Sequence, residues 1–259
     1  MSKDAWNPTQ YNKFKDERSQ PFHDLMALLN PIEKAQIMDL GCGTGELTSV
    51  LHRHLHAKST TGLDSSVEML KKAEAFTGQG LSFLKGSIED WSHSHAYDIV
   101  FANAALQWCS DHPAIFRRLK DALAPRGQLA VQMPMNHDYP THLLANRMSF
   151  EEPWATLLKT EKYEKQKTML TPEEYAKLLF SLGFQEQKVF LRVYGHVLPS
   201  REGVIEWVKG TLLTHFKSRL SEDHYLKFAT EFRTRLFEQL PDDKPFFYPF
   251  KRILIWGQL

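Results

Sequence analysis

The chain has 259 residues, of which 42% are hydrophobic and 24% charged, and 32 basic against 31 acidic side chains leave a net charge of +1. A chain of this size buries roughly three quarters of its unfolded surface, so it can build one large domain without staples, and near-neutrality excludes a global pull toward nucleic acid or anionic membrane. The two cysteines, Cys42 and Cys109, exclude a disulfide framework and suit a reducing compartment.

In chain order, Met1-Ser2-Lys3-Asp4 lacks the apolar stretch of a signal peptide. No later run approaches the ~20 apolar residues of a membrane span, so a cytoplasmic location is expected. Short apolar runs then alternate with helical patterns, the rhythm of βα units and a parallel sheet. The patterning predicts strands over Gln36–Leu40, Ser59–Leu63, Leu81–Leu84, Tyr97–Ala102 and Gln128–Met133. Helices are expected over Glu46–His54, Ser66–Phe76 and Ala114–Ala124, with Pro125-Arg126-Gly127 as the turn into the fifth strand. A polar stretch rich in Met and His follows Pro134. Thr171-Pro172-Glu173-Glu174 then opens a helix with a capping residue and Pro at the first helical position. Lys188–Tyr194 reads as a strand, residues 200–244 as wholly helical, and Arg252–Gly257 as a closing strand. Trp207, Leu212, Phe216, Phe228, Phe232 and Leu236 are the expected buried anchors of the helical stretch. The fold class is thus α/β, a Rossmann-like sheet carrying a helical lid. The whole chain, 1–259, reads as a single domain with its core near 21–134, 171–196 and 247–259. The lid is expected near 1–20, 135–170 and 197–246.

Asp39-Leu40-Gly41-Cys42-Gly43-Thr44-Gly45 lies at the junction of the first strand and first helix. Its G-x-G-x-G spacing is one residue tighter than the dinucleotide fingerprint. Glycines there let the backbone turn sharply and approach a ligand closely. With no pyrophosphate to place, the helix amino terminus can face the zwitterionic end of a smaller nucleoside cofactor. Asp64 ends the second strand, where such folds hold two ribose hydroxyls.

Several segments resemble the class I methyltransferases, and the trans-aconitate methyltransferases in particular. They are Trp6-Asn7-Pro8-x-x-Tyr11-x-x-Phe14-x-x-Glu17-Arg18-x-x-Pro21, then Phe101 to Trp108, then Leu129 to Pro134 followed by Pro140-Thr141-His142. Leu198-Pro199-Ser200 and Trp207-Val208 are fainter echoes, so the resemblance is dense to about residue 142 and thin beyond it. It implies a mostly parallel seven-stranded sheet with the last strand antiparallel. It also implies methyl transfer from S-adenosylmethionine to a carboxylate, yielding a methyl ester and S-adenosylhomocysteine. The cofactor-binding candidates are Asp39, Gly41, Cys42, Gly43, Asp64, Ser65, Met69, Ser87, Ile88, Asn103 and Ala104. Two departures stand out. Ser87 occupies the place of the acid that usually accepts from the adenine amino group, with Glu89 and Asp90 slightly beyond. Thr214 stands where an arginine is expected, and its loss would remove a bidentate carboxylate clamp.

Such a transfer asks little of acid–base catalysis, because carboxyl groups ionise near pH ~4. No dedicated catalytic residue is therefore expected. Gln107 and Trp108 are candidates to orient the acceptor, and Tyr11 and Arg18 to bind it. Arg18 either clamps the substrate carboxylate or forms a surface ion pair with Asp16 or Glu17, and Trp108 either faces the methyl group or packs beneath the lid. His52, His54 and His56 do not share a helix face, and His93 and His95 lie in a loop without a completing ligand, so no metal is expected. The expected partner is a small carboxylic acid, with no nucleic acid and no membrane, and the chain a monomer or weak dimer. Alternatives are methylation of malonyl on acyl carrier protein, docked by Lys71, Lys72, Arg117, Arg118 and Lys120, and a non-catalytic cofactor- or partner-binding module.

Overall fold

The computed structural model describes the backbone of residues 15–159 and 169–259, and side chains from residue 19 onward. Tyr11 and the side chain of Arg18 lie outside the described residues. The strands are β1 (Gln36–Leu40), β2 (Ser59–Asp64), β3 (Leu81–Lys85), β4 (Tyr97–Asn103), β5 (Leu123–Pro134), β6 (Glu186–Leu198) and β7 (Phe246–Gln258). The helices are α1 (Lys15–Met26), α2 (Glu46–His54), α3 (Val67–Ala73), α4 (His112–Ala122), α5 (Pro140–Ser149), α6 (Trp154–Leu158), α7 (Pro172–Ser181), α8 (Glu202–Lys209), α9 (Leu212–Lys217) and α10 (Glu222–Phe237). Two compact units result.

Among the described residues the unit of Ser19–Pro134, 169–192 and Arg252–Leu259 is built on the sheet. The strand order is β3-β2-β1-β4-β5-β7-β6. β1 pairs in parallel with β2 and β4, β2 with β3, and β4 with β5, whereas β5 and β7 are antiparallel. The sequence expectation of a mostly parallel seven-stranded sheet holds. Parallel central strands are covered on both faces and so are apolar throughout: Ile37, Met38 and Leu40 of β1 and Ile99 to Ala102 of β4 are all buried. Phe22 and Leu25 of α1 pack on one face against Ile37, Phe101, Ala130, Leu254 and Trp256. Caps explain the helix starts. Asp111 accepts from the Ala114 amide at 3.0 Å, so α4 begins at His112, two residues before the expected start. Thr171 and Glu174 form a full capping box ahead of α7.

Among the described residues the second unit contains 135–159 and Val193–Lys251 and has its own apolar core. Phe216 and Phe228 stack at 4.5 Å, and Trp154 meets Phe228 edge-on at 5.2 Å. Trp207, Phe216, Phe228, Phe232 and Leu236 are buried as expected, but Leu213 rather than Leu212 turns into the core.

Other boundaries need correction. Residues 200–244 hold three helices instead of one continuous helical stretch, broken at Gly210-Thr211 and again at residues 218–221. β7 starts at Phe246, six residues before the expected Arg252, and passes through Pro249, which has no N–H to give the ladder. Pro125-Arg126-Gly127 does not precede β5 but lies within it. There the register with β4 slips between Tyr97 and Ile99, and Arg126 takes a left-handed φ of 65°.

Candidate functional site

Strand order reverses between β1 and β4, the switch point outside whose strand carboxyl ends open α/β sheets bind ligands. The loops leaving β1 to β4 converge there. The amides of Gly41 and Cys42 both donate to the Leu63 carbonyl, at 2.7 and 3.0 Å, which ties the glycine loop to the end of β2. Gly41 has φ +77°, and a Cβ on it would stand 2.3 Å from Ala105 Cβ and 3.8 Å from Ile88 Cδ1. Only glycine lets the loops after β1, β3 and β4 close this tightly. Gly43, at φ +55°, meets nothing within 4 Å on the side a Cβ would occupy.

Both oxygens of Asp64 are engaged by backbone amides. Oδ2 accepts from Gly43 at 2.9 Å and Oδ1 from Ser66 at 2.8 Å, so the carboxylate is held in one orientation with lone pairs to spare. Ser66 in turn caps α3, accepting from the Met69 amide at 3.4 Å. Asp39 is buried, with Thr48 Oγ1 donating to its Oδ2 at 2.6 Å. Burial raises this carboxyl to about 7, opposed by the Thr48 bond and assisted by the nearby charge of Asp64. Burial likewise pushes the Cys42 thiol above its usual range and that of Cys109 to about 11, which keeps both protonated and inert near neutrality.

After β4 the chain turns through Ala104, a non-glycine residue at φ 54° whose amide donates to the Gln132 carbonyl at 2.8 Å. A short 3₁₀ turn, Leu106–Trp108, follows. Gln107 Nε2 donates to the Ala104 carbonyl at 2.8 Å, leaving Oε1 buried without a partner, as is Oδ1 of Asn103. Trp108 is 61% exposed, so it does not pack into a core within this unit. Beneath the turn His112 is fully buried between the Leu106 carbonyl and the Tyr175 hydroxyl.

Beyond β3, Ser87 Oγ accepts from the Glu89 amide at 3.1 Å. The Glu89 carboxylate takes both the amide and the hydroxyl of Ser110, each at 2.8 Å, which holds it below the usual carboxylate range. Glu89 therefore serves the Ser110 turn. Among the cations of the conjectured carrier-protein patch, Lys71 pairs with Glu68 at 2.9 Å, Lys120 with Asp121 at 3.5 Å, and Arg118 donates to the Glu89 carbonyl. Among the described residues no cluster of three His, Cys, Asp or Glu side chains is arranged to hold a metal, and no helix is long and apolar enough to cross a membrane.

A methyltransferase domain family matches residues 37–127, the stretch from β1 to the β5 bulge. The trans-aconitate 2-methyltransferase of Deinococcus radiodurans is 42% identical over 252 residues, covering 96% of each chain. The chain belongs to this methyltransferase family. A second relative of the same name, from a Mycobacterium species, is 35% identical over 96% of this chain and 98% of its own. The crystal structure of the YcgJ protein from Bacillus subtilis superposes with a TM-score of 0.60 at 13% identity, over 92% of this chain and 97% of that one. Fold is shared at that distance. The chain is thus a methyltransferase on a class I sheet.

Of the residues singled out in the sequence of this methyltransferase, Asp39, Gly41, Cys42, Gly43, Asp64, Met69, Ile88, Asn103, Ala104 and Gln107 are brought to the loops after β1 to β4 or the strand and helix ends beside them. Ser65 and Trp108 are exposed at the rim of these loops. Sequence reasoning missed Thr48, the partner of Asp39, although Thr48 lies one turn into α2 on its buried side. It also missed the His112–Tyr175 pair, which joins residues 63 positions apart and leaves no local pattern.

Proposed function

We propose that this methyltransferase esterifies a carboxylate of a small organic acid, with trans-aconitate as the leading acceptor. The observation that carries the reading is the full-length kinship to a trans-aconitate 2-methyltransferase at 42% identity. The residues suit the cofactor. Asn103 Oδ1 is a buried acceptor lacking a donor, the need an ammonium meets. When bound, S-adenosylmethionine supplies an electrophilic methyl group on a sulfonium sulfur.

The chain's own contribution is positional. Asp64, oriented by Gly43 and Ser66, would accept from the ribose hydroxyls. Asp39, Gly41, Cys42 and Gly43 would line the amino-acid end, with Asn103 and Ala104 opposite. Ser65 and Met69 would border the ribose, and Ser87 and Ile88 the adenine. Gln107 and Trp108 would hold the acceptor in line, joined by Tyr11 and Arg18. Because the acceptor is already ionised at neutral pH, no side chain need remove a proton. Alignment can contribute up to ~7–11 kcal/mol in favourable intramolecular cases, and exclusion of water keeps the nucleophile from being blunted by hydration. The test is S-adenosylhomocysteine release across a panel of mono-, di- and tricarboxylic acids. Ester formation with trans-aconitate as the best acceptor is expected, and transfer to nitrogen alone would overturn the reading.

A further inference from the structure

The carboxyl ends of β4 and β5 carry a polar row directly above an apolar one. Register aligns Phe101 with Ala130 and Asn103 with Gln132. Across the antiparallel partner, Gln132 faces Leu254, so Arg252, two residues away, lies diagonally beside it on the same face. The lower row of Phe101, Ala130 and Trp256 belongs to the core beneath α1. Asn103 beside Gln132 and Arg252 diagonal to it, its polar neighbours on this face, bring no carboxylate. Gln132 at its centre is 0% exposed and Arg252 is 6% exposed.

Arg252 Nη1 donates to Gln132 Oε1 at 3.5 Å, which decides the orientation of the amide: oxygen toward the guanidinium, Nε2 away from it. That Nε2 is buried and has no acceptor. A buried donor left unsatisfied is costly, and a ligand that supplies the acceptor removes that cost. An unpaired N–H beside a guanidinium matches an anion, and a planar carboxylate above all. Thr214 cannot play this part, since its hydroxyl is turned back onto the Thr211 carbonyl.

We infer that Gln132, oriented by Arg252, donates its Nε2 hydrogen to a ligand carboxylate and is a specificity-determining residue of this methyltransferase. The inference rests on the acid-acceptor reading for one source of that carboxylate, a second acid group of the acceptor. The other source is the α-carboxylate of the cofactor. Arg252 is a positioning residue, acting through the amide it orients.

The experiment uses the full chain with Gln132→Glu, which places a negative charge where the donor was, and Gln132→Met, which removes the donor at similar volume. S-adenosylhomocysteine affinity is measured by calorimetry without acceptor, and KM and kcat for trans-aconitate are measured separately. A tenfold or greater rise in KM for Gln132→Glu, with S-adenosylhomocysteine affinity within twofold of wild type and a smaller rise for Gln132→Met, assigns the contact to the acceptor. A tenfold loss of S-adenosylhomocysteine affinity with unchanged KM assigns it to the cofactor. Unchanged values of both in folded Gln132→Glu, or in Gln132→Met should the charged variant not fold, overturn the inference. Wild-type protein that binds S-adenosylhomocysteine but esterifies no acid defeats the acceptor reading alone, and the calorimetric arm still judges Gln132.

Discussion

The hydroxyl of Tyr175 lies 2.5 Å from Nδ1 of His112, while the other ring nitrogen, Nε2, lies 3.0 Å from the Leu106 carbonyl. A carbonyl can only accept, so Nε2 carries the hydrogen and Nδ1 accepts from tyrosine. The ring is neutral, and burial holds its pKa below the usual histidine value. One pair of side chains thus fastens α7 to the turn that bears Gln107 and Trp108. Tyr175→Phe leaves Nδ1 buried and unpaired, so unfolding free energy should fall by ~1–3 kcal/mol. Urea denaturation monitored by circular dichroism measures it, and a midpoint equal to wild type would show that the bond contributes nothing.

Asp64→Ala removes the acceptor of two backbone amides and, on the proposed placement, of the ribose hydroxyls. S-adenosylhomocysteine binding should weaken by about 2 kcal/mol, within the ~1.5–3 kcal/mol typical of bonds to charged groups. Calorimetry on folded protein decides it, with Asp64→Asn expected to fall between. Unaltered affinity in the alanine variant removes Asp64 from the site.

Asp39 links affinity and stability to pH in opposite senses. Its folded pKa of about 7 is raised above the ordinary 3.8, so the stability it contributes is fully present below pH 4 and is lost as pH rises through 7. Binding a cationic group beside it favours the ionised form, so ligand affinity should climb as pH rises from 6 to 8 with release of a proton. Calorimetry in two buffers of different ionisation enthalpy counts that proton. Asp39→Asn should stabilise the ligand-free protein at pH 8 and weaken cofactor binding. A variant less stable than wild type at that pH contradicts the assignment.

Two histidines in the second unit act on the acid side. Burial lowers both His142 and His215 to about 4. Because their folded values are depressed, the unfolded chain takes up protons first, and stability declines as pH falls from 6.5 toward 4. Replacing both with glutamine should flatten that slope, as thermal unfolding across the interval will show. A slope unchanged by the double substitution would assign the acid sensitivity to other groups.

The parts of this molecule legible from sequence are those whose cause is local. The glycine loop and Asp64 could be read because strand, turn, helix and acid follow one another within one βα unit, and β1 and α2 keep the expected bounds. What escaped reading depends on distant pairings. Gln132 and Arg252 meet across 120 positions, and only the antiparallel register of β5 and β7 makes them neighbours. The two bonds that Ser110, 21 residues away, donates to one oxygen of Glu89 likewise leave no local pattern. Pro21 within α1 and Pro249 within β7 each remove a backbone donor, yet the apolar contacts of Phe22 and Tyr248 hold the elements together.

The exposure of Trp108 also makes the protein its own optical instrument. Trp91, Trp154, Trp207 and Trp256 are all buried, whereas Trp108 stands in solvent at the candidate site. Indole emission shifts to longer wavelength in water, so excitation at the red edge selects Trp108 over the four shielded rings. With Trp6 replaced by phenylalanine, the colour and quenching of that emission report occupancy of the neighbouring loops in real time, without a label and without turnover.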